Sequence, residues 1–216
     1  MKKIIFTFAL FCLSFASSFA QEFAGKRIYS GNLSMYLTGN TTSASPNSGN
    51  SDFILNATFL TGKIRENNTY TAYGFEFGVT SSTSPSSYGG VATNYTKSTY
   101  KVGPVVQFGK FIKIFDQFYF APNTTFNVHG TFGSTESTNP TYSTGKVSGF
   151  GIGLRIVPLN FVYQVKNNFL LSMSVGSLGV VYDTQTTTDR YDSRNYGLSV
   201  NGNISNFSSL GAYYLF

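Results

Sequence analysis

Few residues in this chain could carry chemistry. The 216 residues hold one His, one Cys, 9 Asp and Glu, and 15 Lys and Arg. An imidazole beside a hydroxyl and a carboxylate is what an acyl hydrolase needs. His129 has Thr131 two positions on and Glu136 beyond it. No nucleophile motif surrounds Thr131, which sits in Gly130-Thr131-Phe132, so the expected role of His129 is a hydrogen-bonded interior residue and no catalytic residue is assigned. A lone His cannot build an ordinary zinc site, and no metal or cofactor is expected.

Three charged residues form the other cluster. Glu76, Lys101 and Arg155 share the polar parity of their segments, so they are expected to face inward together. A charge in such an interior needs a partner, because unpaired burial is costly. The spacing predicts that Glu76 pairs with Arg155 or Lys101. Gly149, Gly151 and Gly153 resemble a phosphate loop only superficially. Their two-residue spacing, with no helix to follow, instead suggests small residues making room for large neighbours such as Tyr119 or Arg155.

The elements that position these residues are strands. Helical periodicity is absent, and eight segments show period-2 alternation. They run from about 26 to 39, 52 to 62, 70 to 81, 98 to 108, 118 to 132, 145 to 165, 169 to 182 and 196 to 216. The third is the clearest: Tyr73, Phe75, Phe77 and Val79 alternate with Gly74, Glu76, Gly78 and Thr80. In the sixth the alternation slips past Pro158, and in the seventh near Ser177, which predicts bulges.

Four polar stretches between the segments read as long loops: 40–51, 82–97, 134–144 and 183–195. Three short turns alternate with them. That order is what an eight-stranded antiparallel up-and-down barrel requires, with both ends on the short-turn side. The inward face is rich in Gly, Ser, Thr and Asn but poor in charge. A water-facing surface would carry more Lys and Glu, so the apolar face is expected to meet lipid: an all-β transmembrane β-barrel rather than a soluble, lipocalin-like one.

Both ends agree with this. Lys2 and Lys3 precede an apolar run, Ile4 to Phe15, which is too short to span a bilayer. Small residues follow to Ala20, so residues 1–20 read as a secretory signal cleaved before Gln21, leaving one domain over 21–216. Cys12 lies within that signal, so no disulfide is expected after it. Taking Lys2 and Lys3 from the 15 basic residues leaves 13 against 9 acidic ones, a net charge of +4. The excess is spread along the chain, so nucleic acid is not an expected partner.

At the other end, Ser209, Gly211, Tyr214 and Phe216 fill the places of a polar residue, a glycine and two apolar residues on a period-2 strand. This segment resembles the assembly signal of bacterial outer-membrane barrels. The chain as a whole resembles the small eight-stranded outer-membrane barrels of the OmpX and OmpA-transmembrane type, the outer-membrane β-barrel domain proteins. The resemblance implies a place in the bacterial outer membrane, insertion by the barrel-assembly machinery, and contact with outer-membrane lipids and lipopolysaccharide. An eight-stranded barrel is filled by its own side chains, so no solute channel is expected. The resemblance identifies no ligand or activity; the loops' composition makes structural or surface interaction the expected function, with external ligands meeting the Ser/Thr/Asn-rich loops, near Tyr88, Tyr95, Tyr142 and Tyr191. The alternative is a lipid A-modifying enzyme using His129.

Overall fold

A computed structural model describes residues 23–41, 49–88, 91–138, 145–188 and 192–216. The signal expected over residues 1–20 lies outside them, as do Tyr142 and Tyr191.

The described chain is all strand and turn. There are eleven strands: β1 (Arg27–Thr41), β2 (Gly49–Ile64), β3 (Thr69–Tyr88), β4 (Val91–Lys110), β5 (Ile112–Phe115), β6 (Phe118–Phe120), β7 (Asn123–Ser137), β8 (Gly145–Val157), β9 (Leu159–Lys166), β10 (Phe169–Thr188) and β11 (Asp192–Leu215). Eight of them, β1-β2-β3-β4-β7-β8-β10-β11, follow one another as antiparallel neighbours, and β11 returns to β1 to close the ring. The expected eight-membered up-and-down barrel is therefore the observed architecture.

Two predicted segments are broken. The fifth divides into β6 and β7 at Ala121-Pro122, and the sixth into β8 and β9 at Pro158. Proline has no N–H to give a ladder. The breaks lie side by side, where the Ala121 N–H donates to the Asn160 carbonyl (2.8 Å). Below them the hairpin β5–β6 joins the sheet through β9, with Phe118 opposite Tyr163. The slip near Ser177 is a true bulge in β10, where Gly176 takes a φ of 72° and the register against β11 shifts on either side of Val175.

Two of the expected long loops, 82–97 and 183–195, are strand over their described residues. β3 and β4 remain paired through Ser82, whose partner is Lys97, up to Tyr88 opposite Val91. β10 and β11 pair through 183–195, ending with Thr188 opposite Asp192. The stretches looked like loops because they are polar. Thr is β-branched, though, and polar alternation is no bar to pairing where both faces meet water. Cross-strand hydroxyl contacts continue the ladder's logic, as between Thr83 and Thr96 (3.1 Å).

The two faces divide sharply. Leu33, Phe59, Phe75, Phe108, Phe126, Leu154, Leu171 and Leu210, one on each ring strand, are all exposed on the outside. Thr58, Gln107, Thr125, His129, Thr131 and Ser172 are buried inside. One end of the interior is apolar. Phe23, Tyr70, Phe111, Tyr119 and Tyr213 form an aromatic floor there, with Ile28, Ile64 and Leu215. Phe111 lies at its centre, 5.4 Å from Phe23, 5.2 Å from Tyr70 and 5.5 Å from Tyr213 between ring centroids. It fills the single-residue gap between β4 and β5.

Candidate functional site

Above the floor lies a polar cavity of about 500 Å³. Its charged residues come from five strands: Glu76 (β3), Lys101 (β4), His129 (β7) and Arg155 (β8), with Asp183 (β10) bonded to the imidazole. The period-2 rule explains the convergence, since each stands on the inward parity of its strand.

His129 is 3% exposed. Its Nε2 lies 2.8 Å from Asp183 Oδ1. A carboxylate only accepts, so Nε2 carries the hydrogen. Nδ1 is 3.8 Å from Glu76 Oε1, too far for a hydrogen bond, and is buried with no other partner. Thr131 and Glu136, the partners that the enzyme alternative would need, are not among its partners. Thr131 is buried elsewhere on the inner face, and Glu136 is near the far end of β7.

Neither expected ion pair of Glu76, with Arg155 or with Lys101, forms within 4 Å among the described residues. Glu76 Oε1 accepts a short hydrogen bond from Asn127 Nδ2 and lies beside His129, with Arg155 attracting it at longer range. Lys101 turns instead to Asp183, at 3.9 Å. Register accounts for this. Gly78 and not Glu76 stands opposite Lys101, while Glu76 faces Gly103 across the β3–β4 ladder. Asp183 is the residue that the sequence reading missed, because it fell at the start of a stretch read as loop. Its parity, shared with Val181 and Gly179 on the inner face, was the available signal.

The triple glycine does make room, but for other residues. A Cβ on Gly151 would run into Asp183 Oδ1 and His129 Nε2. One on Gly153 would meet Asn127 Oδ1, and one on Gly149 the Thr184 carbonyl. Tyr119 and Arg155, the expected occupants, are not what these glycines accommodate.

At the ring's closure, Ser209 and Gly211 face inward and Tyr214 and Phe216 outward. Ser209 Oγ accepts from Asn32 Nδ2 (3.1 Å) and contacts Ser174 Oγ (2.6 Å), so it ties β11 to both neighbours. Gly211 lies against Ser172 Oγ, where a Cβ would come within 2.5 Å. Phe216 stacks on Tyr29 of β1 at 4.6 Å.

Among the described residues no group of three or more His, Cys, Asp and Glu could hold a metal ion. The arrangement can hold charge and hydrogen-bond a polar guest; it presents no hydroxyl to the imidazole.

No family model matches the chain, and no curated protein matches it. Among solved structures it is similar to a major outer membrane protein from Thermus thermophilus, at 14% identity and a TM-score of 0.42, over 88% of this chain and 99% of that one.

Proposed function

We propose that the protein is an integral barrel of the bacterial outer membrane with a structural or surface-interaction role, no solute channel and no enzymatic activity. The observation that carries this reading is the inverted polarity: every ring strand shows apolar side chains outside while hydrogen-bonded polar ones lie within. A soluble barrel with a lipocalin-like interior would have the reverse. Aromatic rings on the outer face near the floor, among them Tyr29, Phe216, Phe118 and Tyr163, suit a membrane interface.

The floor supports a closed pore. Five rings in tilted or edge-to-face contact crowd the lumen end. Outer-membrane lipids and lipopolysaccharide would surround the wall, the assembly machinery would read Tyr214 and Phe216, and the far hairpin ends would meet external ligands. Fractionation of cells, with folded and boiled samples compared on a gel, tests the reading. A heat-modifiable band in the outer-membrane fraction is expected; a soluble mature chain would overturn it. Lipid A compared between cells with and without the gene tests the enzyme alternative, which His129→Ala would silence if an altered acyl pattern were seen.

A further inference from the structure

The ring is not evenly closed. β1 pairs with β2 over its whole length, from Arg27 opposite Lys63 to Thr41 opposite Gly49. β11 follows β10 up to Asp192, through one irregular stretch. Between β1 and β11, however, pairing covers only Ile28–Leu33 against Leu215–Leu210 and then stops. Above Leu33 and Leu210, no pairing joins the edges of β1 and β11 among the described residues, which leaves a slit in the wall. Apolar residues flank it, including Leu37 and Met35 on one side and Leu198 and Val200 on the other. Val200 is 76% exposed.

The slit leads to the cavity. Seven ring strands line that cavity, β11 through Val200 and Gly202, and β1 contributes no residue to it. The wall is missing where the slit opens. Inside, apart from the bare acceptor His129 Nδ1, the unused hydrogen-bonding capacity belongs to cations. Glu76 is taken by Asn127 and Asp183 by His129. Lys101 is only loosely held by Asp183, and among the described residues nothing hydrogen-bonds or ion-pairs with the Arg155 guanidinium within 4 Å. A guanidinium has five donors suited to phosphate or carboxylate oxygens.

We infer that the cavity holds the anionic head of a single-chain amphiphile, a phosphate or carboxylate, and that its acyl chain leaves through the slit between β1 and β11 into the bilayer. Both halves of the ligand then find matching surroundings. Ester or hydroxyl groups near the head would also meet the bare backbone edges, which hydrocarbon alone leaves unsatisfied. This inference rests on the membrane-barrel reading.

The test uses the full mature chain in phosphatidylcholine nanodiscs, with binding followed by calorimetry. The probes are lysophosphatidic acid, palmitate, lysophosphatidylcholine and glycerol 3-phosphate. Saturable 1:1 binding is expected for an anionic amphiphile, and the first two probes decide between phosphate and carboxylate. Lysophosphatidylcholine and glycerol 3-phosphate should bind at least tenfold more weakly. R155Q, which removes the donor charge, and G202F, which adds a ring beside Leu178 at the β11 side of the cavity lining, should each weaken binding about tenfold, while R155K stays near wild type. Absence of binding by both anionic amphiphiles overturns the inference, as does head-only binding of equal strength or indifference to both R155Q and G202F. Heat-modifiability of the same samples keeps the outcomes apart: a wild-type chain that is not heat-modifiable would strike the membrane-barrel reading instead.

Discussion

His129 Nε2 donates to Asp183 Oδ1 across 2.8 Å, joining β7 to β10 over the intervening β8. The two strands are not neighbours in the sheet, so this bond braces the barrel across its interior. Deleting one partner strands the other. Asp183→Ala should lower stability by about 2 kcal/mol, within the range for an unsatisfied buried group. Urea titration in detergent micelles, with tyrosine fluorescence as the readout, checks it. A double-mutant cycle with His129→Ala should show that the losses are not additive; additive losses would mean the bond contributes little.

Gly151 sits beneath that bond. An added methyl must displace Asp183 or His129, so Gly151→Ala should cost about 1–3 kcal/mol, the range for overpacking. Gly130→Ala is the control on the strand beside it. A Cβ there meets nothing closer than 3.9 Å, and a much smaller change is expected in the same titration.

Glu76→Gln keeps a group able to accept from Asn127 but removes the charge that faces Arg155. The folded band should therefore give way to the unfolded one at a lower temperature on a gel. An unchanged transition would show that the cations need no carboxylate there.

Phe111→Ala should act on two measurements at once. The lost ring leaves a hole among Phe23, Tyr70 and Tyr213, and large-to-small changes of this kind cost about 3–5 kcal/mol. If the floor is what seals the lumen, the variant should also conduct ions in a planar bilayer where the wild type does not. Wild-type conductance would overturn the closed-pore reading.

Phe216→Ala removes the ring stacked on Tyr29 beside the short paired part of the β1–β11 junction. The stack is worth about 0.5–1.5 kcal/mol beyond its buried area. Because that junction is short, refolding into micelles should be slowed more than by Phe132→Ala, which removes a similar stack on Tyr100 within the long β4–β7 ladder.

The alternation of Tyr73, Phe75 and Phe77 with Gly74 and Glu76 was sufficient to place β3, and the same pattern placed seven other ring strands. What it could not supply was height. Strand ends were drawn where apolar residues stopped, yet Thr184, Thr186 and Thr188 carry β10 on past that point. Asp183 was lost from the site for that reason. Phe111 was missed for a different one. Its short apolar stretch, Phe111-Ile112, stood in an expected turn, and only the break between β4 and β5 turns its ring inward. Parity predicted which charges share the lumen; register, which parity does not fix between strands, chose Asp183 for Lys101.

The hairpin β3–β4 draws a further consequence. Each of its strands has 20 residues, and a bilayer crossing uses about 9–11. The excess rises from the wall as a hairpin that β7 flanks up to Ser137, and β10–β11 forms a second such hairpin. In a crowded cell envelope, height decides what is touched first. On the membrane-barrel reading proposed above, anything approaching the cell would meet the ends of such hairpins before the acyl layer or the charged cavity. On that reading, changes toward the hairpin ends would alter what the cell presents outward while leaving the barrel's stability almost untouched.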